Sequence, residues 1–134
     1  MTDTKAKGGA YLLEQRDPET VFTPEDFTEE HKMIAKTTED FVKDKVWPVL
    51  PEIENHQFEH TVRLLKEAGD LGLLGADVPE KYEGLGLDKV SSSLITEKIS
   101  LARSFGLSHG AHVGIGSLPI VFFGNDEQKK KYLP

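Results

Sequence analysis

The sequence predicts an all-α fold, an antiparallel helical bundle of about five helices. Apolar residues recur with helical spacing in successive segments, and no stretch alternates long enough to indicate a strand. The short connections between these segments favour sequential helices that pack as neighbours. The length of 134 residues, 37% of them hydrophobic, fits one domain with its own core. We expect residues 1–27 to form an N-terminal arm and residues 28–134 to form the helical domain.

The first predicted helix runs from about 28 to 46. Thr28 supplies a capping hydroxyl and is followed by acidic residues, which favour the positive end of the helix dipole. Its predicted apolar face consists of Met33, Ile34, Phe41, Val42 and Val46. Pro48 and Pro51 are expected to stop this helix.

The second predicted helix runs from about 58 to 71 and ends at Gly69 and Gly72. Its predicted apolar stripe is Phe58, Val62, Leu65 and Ala68. Residues 73–88 follow as a turn-rich crossing that contains several glycines and a proline. This part of the chain is therefore expected to connect helices without a strand.

Three further helices complete the predicted bundle. Asp88 can cap a helix over about 89–104, whose apolar face is Val90, Leu94, Ile95, Ile99 and Ala102. The next helix runs from about 107 to 122, and Pro119 is expected to kink or end it. Asn125 begins a fifth helix close to the end of the sequence.

The charge balance and the composition exclude several classes of function. Lys and Arg number 16 against 23 Asp and Glu, so 16 − 23 gives a formal net charge of −7. Nucleic-acid binders present a basic face, so no nucleic-acid partner is expected. The absence of cysteine removes disulfides and thiolate metal ligands. The first residues lack the apolar segment of a secretory signal, so we expect a cytoplasmic protein.

The fourth predicted helix is unusual because it is rich in glycine. Gly106, Gly110 and Gly114 recur every four residues, although glycine inside a helix costs about 1 kcal/mol relative to alanine. Ser108, Ala111 and Ile115 fall on the same half of the helix, and nearly all of this arc is small. One interpretation is close contact with another helix, and the other is a wall cleared of side chains for a ligand. The residues alone leave both open.

Several histidines and lysines invite a functional interpretation that the pattern does not favour. His56 and His60 match the H-x-x-E-H order of a zinc site, but the motif straddles a predicted loop boundary and lacks a third ligand. His109 and His112 lie three apart, and a packed or surface pair is the simpler interpretation. Lys129–Lys131 is explained by a solvated helix face. No metal site is predicted.

A glycine-containing loop and a pair of serines also lack the accompanying residues that a phosphate-binding or catalytic site would need. Gly84-Leu85-Gly86 lacks the preceding strand and the third glycine of a dinucleotide fingerprint, so a tight connector is the better interpretation. Ser92 and Ser93 lie in a predicted helix without a histidine or an acid arranged around them, so a hydrolase triad has no support.

Three segments in order resemble the N-terminal helical domain of FAD-dependent acyl-CoA dehydrogenases. Residues 71–80, LGLLGADVPE, resemble that family's crossing after its second helix, and residues 82–87, YEGLGL, resemble its YGGLGL turn. Residues 123–134, FGNDEQKKKYLP, resemble the start of the helix that follows. The resemblance covers about residues 27–134. One departure is Glu83, which stands where the family usually has glycine.

Within this family, residues 107–116 look most like the very-long-chain branch. The corresponding helix lines the cavity for the fatty-acyl tail, and medium-chain members place a bulky carboxylate where this chain has Ala111. The resemblance therefore implies an open tunnel for a long acyl chain. Ser108, Ala111 and Ile115 would face the tail, and Gly110 and Gly114 would lie on its flank.

The resemblance implies α,β-dehydrogenation of a long-chain acyl-CoA in fatty-acid β-oxidation, with FAD as cofactor. Family members carry the catalytic base in a C-terminal helical domain, and most flavin contacts come from that domain and a β-domain. Nothing in this chain matches either domain, so the chain alone is expected to bind no FAD and to be inactive, with no catalytic residue. Electron-transfer flavoprotein and a homo-oligomer of the full-length enzyme are further implied partners. The alternative is a free-standing helical module that binds a lipid or a partner helix.

Overall fold

The computed structural model describes residues 9–134, and all regular structure in that range is helical, which confirms the predicted class. The α-helices of this range are α1 (Glu29–Phe41), α2 (Leu50–Glu54), α3 (Phe58–Asp70), α4 (Lys89–Ile99), α5 (Ser104–Gly110), α6 (Leu118–Phe123) and α7 (Asp126–Tyr132). Between some of them lie the π-helical segments Val42–Val46 and Ala111–Ser117 and the 3-10 segments Trp47–Val49, Glu80–Tyr82 and Ser100–Ala102. Because α1 continues into α2 and α5 continues into α6, the described helices form five continuous units.

The described part of the arm is built from single helical turns. Its 3-10 segments are Ala10–Leu12, Pro18–Thr20 and Pro24–Asp26. The second half of the arm lies against α1, because the ring centroids of Phe22 and Phe27 lie 6.4 and 5.9 Å from that of His31. This aromatic group fixes the arm where it enters the first helix.

Helix α1 begins where the sequence predicts. The Thr28 hydroxyl accepts a hydrogen bond from the N–H of His31 at 3.2 Å, as expected of an N-cap. Most of the predicted apolar face is buried or partly buried. Met33 is the exception: it is exposed, so its assignment to the buried face is wrong.

The predicted range of about 28–46 agrees with α1 and the π-helical segment that ends at Val46, but the chain remains helical beyond the predicted stop. In the π-helical turn that follows α1, the N–H of Trp47 donates to the carbonyl of Val42, five residues earlier. A 3-10 turn, Trp47–Val49, then leads into α2. Pro48 and Pro51 each stand in the first turn of a new segment, where an N–H would have no partner within that segment. The prolines therefore restart the helix instead of ending it.

Helix α3 agrees with the predicted range, and two residues of its predicted stripe contact the core, Ala68 fully buried and Leu65 partly buried. The buried residues are Thr61, Leu64 and Ala68, whereas Phe58 and Val62 are exposed. At about 100° per residue the buried face is rotated by about 70° from the predicted stripe. Leu64 is fully buried in the core, and packing of this residue sets the orientation of the helix.

The crossing between α3 and α4 is held by backbone hydrogen bonds and contains no strand. The N–H groups of Leu85 and Leu87 donate to the carbonyls of Gly75 and Ala76 at 2.9 and 2.8 Å. Glu83 adopts a left-handed conformation with φ of 66°. That conformation favours glycine and gives a physical reason for the glycine that the family usually has here.

Asp88 caps α4 as predicted, and its carboxylate accepts a hydrogen bond from the N–H of Ser91 at 2.8 Å. Four of the five predicted core residues of this helical unit are buried: Leu94, Ile95, Ile99 and Ala102. The unit ends before residue 104, because Arg103 has a φ of 49° and breaks the helix. Helix α5 starts directly after this break.

The glycine-rich helix runs from α5 through the π-helical segment into α6. The N–H of Leu118 donates to the carbonyl of Val113, five residues earlier. Pro119 does not end the helix, since it stands in the first turn of α6 after this wider segment. Asn125 caps α7 as predicted and accepts a hydrogen bond from the N–H of Gln128 at 2.9 Å.

The core lies where α1 and α4 pack together, with α3 and α5 completing it. The rings of Phe41 and Phe105 meet there with centroids 5.9 Å apart. Phe105 and Leu64 are among the largest side chains that are fully buried. Phe105 fixes the start of α5 in this core and so positions the glycine-rich helix.

Candidate functional site

The glycine-rich helix is anchored at its first turns by two buried side chains. Phe105 lies in the core, and His109, one turn later, places its imidazole Nε2 3.1 Å from the carbonyl oxygen of Leu73. Because a carbonyl only accepts, Nε2 carries the proton and donates. Burial lowers the pKa of His109, although the hydrogen bond to Leu73 opposes this effect. His109 is a packed residue, and His112 is exposed.

A cleft of about 730 Å³ lies between α4 and α5 and continues along the π-helical segment. We call it the α4–α5 cleft. Its apolar lining consists of Leu73, Ala76, Ile95, Ile99, Leu107, Val113 and Leu118, together with Gly106, Gly110 and Gly114. Its polar lining consists of Asp77, Lys89, Ser92, Ser93, Thr96, Ser100, Arg103 and His109. A cleft of this size can hold a small organic ligand.

The three regularly spaced glycines do not have the same role. A Cβ on Gly106 would lie 2.8 Å from the backbone oxygen of Ile99, so glycine is required there for the close approach of α5 to α4. A Cβ on Gly110 or Gly114 would meet no atom within 4 Å. Packing within the described residues therefore explains Gly106 and does not explain the other two.

The remaining residues expected to face an acyl tail lie beside the cleft and do not line it. Ser108 is half-buried and its hydroxyl lies 3.4 Å from the carbonyl of Ser104, while Ala111 is exposed. Ile115 is 80% exposed on the same outward surface. The structure thus brings Gly110 and Gly114 together in the cleft and places the other three on an adjoining face of the same helix. Their contact with a ligand stays a prediction.

Sequence reasoning missed the wall that α4 contributes to the cleft. Ser92, Thr96 and Ser100 recur every four residues, which places them on one face of a helix. That spacing was the available signal, but of these three residues the sequence analysis considered only Ser92, as a possible nucleophile. Lys89 and Asp77 form an ion pair at the same cleft, and the Asp77 side chain is largely buried.

The histidine motif and the glycine-containing loop that the sequence analysis considered do not line the α4–α5 cleft. His56 lies in the loop between α2 and α3 with a φ of 64°, and His60 stands on α3. Among residues 9–134 no group of three or more His, Cys, Asp or Glu could hold a metal ion. A Cβ on Gly84 would lie 2.0 Å from the carbonyl oxygen of Val78, so this glycine serves a tight backbone contact, in line with the predicted connector.

No helix within the described range is both long and apolar enough to cross a membrane.

Comparison with known proteins places this helical chain among relatives of much greater length. It is 72% identical over 128 residues to a probable acyl-CoA dehydrogenase of Bacillus subtilis (strain 168), an alignment that covers 96% of this chain and 22% of that protein. It is 39% identical over 108 residues to an acyl-CoA dehydrogenase of the same organism, covering 80% of this chain and 28% of that protein.

A solved structure supports the same relationship. The crystal structure of acyl-CoA dehydrogenase complexed with FAD from Bacillus anthracis superposes with a TM-score of 0.90 at 67% identity. That match covers 96% of this chain and 22% of the other. The part of the chain that aligns therefore makes up only 22–28% of the length of the relatives described.

The sequence profile of a single family covers the helical part of the chain. The profile of the acyl-CoA dehydrogenase N-terminal domain matches residues 28–134, which include the α4–α5 cleft and every helix described from α1 to α7. The helical architecture, the ordered sequence segments and this match agree. The chain belongs to the acyl-CoA dehydrogenase N-terminal domain family.

Proposed function

We propose that this chain is the N-terminal acyl-chain-binding domain of an FAD-dependent acyl-CoA dehydrogenase that acts on long-chain acyl-CoA. The family and the relatives support the reaction class. We further propose an arm over residues 1–27, a helical domain over residues 28–134, and a cytoplasmic enzyme. The β-domain and the catalytic helical domain would come from the rest of the parent protein.

One observation carries the assignment of an acyl-binding wall. Gly110 and Gly114 have no atom within 4 Å of an added Cβ, although alanine would favour the helix by about 1 kcal/mol at each position. The absence of side chains here gains nothing for the packing of the described residues. A long apolar ligand that passes over this helix would account for it. On the adjoining face of the same helix, the exposed Ala111 and Ile115 would continue the surface over which the ligand passes.

We propose that other domains of the parent enzyme supply most of its flavin site, as the resemblance to the family implies. Bound to the rest of the enzyme, the flavin would accept the hydride from the β-carbon of the thioester. We propose that the role of this chain is to hold the distal acyl chain and exclude water. Electron-transfer flavoprotein as the electron acceptor and a homo-oligomeric enzyme are further parts of the proposal.

The decisive experiment is made in the full-length parent protein. Ala111→Glu places a bulky carboxylate on the outward wall, and we expect the ratio of kcat/KM for palmitoyl-CoA to that for octanoyl-CoA to fall at least tenfold. Each methylene that loses its apolar contact costs about 0.8 kcal/mol, so loss of a few methylenes suffices. Ala111→Ser is the matched control and should keep the ratio of the natural protein. An unchanged ratio in Ala111→Glu would count against the wall.

The alternative function, a free-standing lipid- or partner-binding module, makes a different prediction about the gene. A reading frame that continues past Pro134 into a β-rich region supports the dehydrogenase, and a stop codon at that point supports the module. The relatives favour the first outcome, since each is several times longer than this chain.

A further inference from the structure

One polar side chain of the α4–α5 cleft has no partner among the described residues. Lys89 and Asp77 form an ion pair, and the imidazole of His109 donates to the carbonyl of Leu73. The hydroxyls of four further residues donate to carbonyls of their own helical unit: Ser92, Ser93, Thr96 and Ser100. Arg103 also lines the cleft, and its guanidinium forms no hydrogen bond or ion pair with any residue of the described range.

The backbone of Arg103 adopts a conformation that favours glycine. Its φ is 49°, a value that residues with a side chain rarely adopt. The neighbouring residues hold this conformation in place, because Ala102 and Phe105 are fully buried in the core. Backbone strain that the surrounding structure maintains is a feature of functional sites. Neither the backbone nor packing within the described range explains an arginine at this position.

Glu54 feels the charge of Arg103 but uses its carboxylate elsewhere. Its Oε1 accepts hydrogen bonds from the hydroxyl and the N–H of Ser104, at 2.7 and 3.3 Å. These hydrogen bonds, with a smaller contribution from the charge of Arg103, hold the pKa of Glu54 below its ordinary value. Arg103 is exposed, so its guanidinium keeps its N–H donors for a ligand in the cleft.

A guanidinium at the end of a largely apolar cleft fits a ligand with an oxyanion at the end of an apolar chain. The planar N–H groups of arginine pair with both oxygens of a carboxylate. Arg103 follows the 3-10 turn that ends the α4 unit, while the Lys89–Asp77 pair lies where α4 begins. The two ends are about 20 Å apart along a helix, at about 1.5 Å per residue. Ile95 and Ile99 form part of the apolar wall between them.

We propose that Arg103 binds the terminal carboxylate of a long acyl chain, so that CoA thioesters of long-chain dicarboxylic acids are a substrate class of this site. The inference rests on the proposed function, in which this chain holds the distal acyl chain and the other domains hold the flavin. An oxyanion beside Arg103 then belongs to the distal end of the ligand and not to the phosphates of CoA. A methyl terminus would leave the guanidinium to water, whereas a carboxylate would form a bidentate pair with it.

Steady-state kinetics of the full-length parent protein test the carboxylate site. The measured quantity is the ratio of kcat/KM for the mono-CoA thioester of hexadecanedioic acid to kcat/KM for palmitoyl-CoA. Arg103→Gln should lower this ratio by about tenfold or more, because it removes a charged, bidentate pair. Arg63→Gln, at an exposed arginine of α3 outside the cleft, is the matched control and should keep the natural ratio.

Arg103→Gly provides a second variant, which relieves the positive φ and is expected to fold at least as well as the natural protein. It should lower the ratio as much as Arg103→Gln does. An unchanged ratio in both variants would overturn the proposal. An equal loss of kcat/KM for the two thioesters would also overturn it, because the guanidinium would then contact a part that both ligands share, such as the phosphates of CoA.

Binding of thioether analogues that cannot be oxidised separates this inference from the proposed function. Isothermal titration of the full-length protein compares the S-hexadecyl thioether of CoA with its ω-carboxylated counterpart. Arg103→Gln should weaken binding of the carboxylated analogue about tenfold more than binding of the other. Oxidation of palmitoyl-CoA without this difference would contradict the carboxylate site and leave the proposed function standing. The difference in binding without oxidation of either thioester would contradict the proposed function and leave the carboxylate site standing.

Discussion

At the scale of single residues, glycines of one helix can be assigned different roles by a matched pair of substitutions. Gly110→Ala should raise the free energy of unfolding of the chain by about 1 kcal/mol, because alanine favours the helix and its Cβ meets open space. Gly106→Ala should lower it by about 1–3 kcal/mol, since its Cβ would press on the backbone of Ile99. Urea unfolding followed by circular dichroism measures both.

The result is informative because the chemical change is identical and the positions lie four residues apart. If both variants lost stability, Gly110 would be a packing residue and the argument for a cleared wall would fail. Spacing in the sequence could not distinguish the two glycines. The difference depends on how closely α4 approaches, which only the folded chain defines.

His109 predicts a dependence of stability on pH. Burial lowers the pKa of His109 in the folded chain below its ordinary value of about 6.5. Below that value the unfolded chain binds a proton that the folded chain does not, so stability falls as the pH drops below about 6.5 and is complete above it. The loss is limited to about 1.4 kcal/mol per pH unit and ends at the folded pKa.

His109→Gln removes this titration and keeps an N–H donor for the carbonyl of Leu73. The drop in the free energy of unfolding between pH 7 and pH 5 should therefore be smaller in His109→Gln than in the natural chain. His56→Asn, in an exposed loop, serves as control and should keep the original drop. A natural chain and a His109→Gln variant with the same pH dependence would show that His109 titrates normally.

At the scale of elements, Asp88 joins two helix starts. Its carboxylate caps α4 through the N–H of Ser91 and lies 2.9 Å from Nε2 of His31, whose Nδ1 lies 3.2 Å from the N–H of Thr28 at the start of α1. Nδ1 accepts from that N–H, so Nε2 donates to the carboxylate. Partial burial would raise the pKa of Asp88, but the hydrogen bonds from Ser91 and His31 hold the pKa below its ordinary value.

Loss of this carboxylate should cost more than loss of an ordinary cap. We expect Asp88→Ala to lower the free energy of unfolding by about 2–3 kcal/mol, because it removes the cap of α4 and leaves buried His31 without its acceptor. Asn125→Ala, which removes only the cap of α7, should cost about 1 kcal/mol. Equal losses in the two variants would show that the contact with His31 adds nothing.

The helix starts could be predicted from the sequence because capping is local. Thr28, Asp88 and Asn125 accept hydrogen bonds from residues three positions later, so a short window contains the whole interaction. The helix ends and faces were less predictable. Pro48 was expected to stop the helix, but the π-helical segment before it, in which Val42 and Val46 are buried, leads into a 3-10 turn whose first positions accommodate the proline.

In the candidate site, too, the features that are local in the sequence can be distinguished from those that depend on tertiary packing. The glycine spacing alone left close helix contact and a cleared wall both open, and the structure shows Gly106 in close contact with α4 and Gly110 and Gly114 in a cleft. The opposite wall, formed by Ser92, Thr96 and Ser100, depends on which face of α4 meets α5, and this follows from tertiary packing. Local patterns therefore identified the unusual helix, while its role and the cleft itself depend on the fold.

At the scale of the whole molecule, the glycine-rich helix leaves a large apolar surface exposed. Leu107, Ile115, Phe122 and Phe123 are all exposed, Phe123 by 88%. Apolar area transferred from water contributes about 25 cal/mol per Å², so this surface favours association with any apolar partner. In the proposed parent enzyme the remaining domains would cover it. In the 134-residue chain alone, a second copy is the available partner.

We therefore expect the isolated chain to self-associate as its concentration rises. Sedimentation velocity between about 5 and 200 µM should show a weight-average mass that increases above that of the 14.9 kDa monomer, in line with the micromolar affinities typical of modest interfaces. Ile115→Ser combined with Phe123→Ser should restore the monomer, because both side chains lie on the exposed surface and contribute nothing to the core. Met33→Ser, at an exposed apolar position on α1, is the control and should associate like the natural chain. A natural chain that stays monomeric at the highest concentration would show that the surface is too small or too divided to bind a second copy.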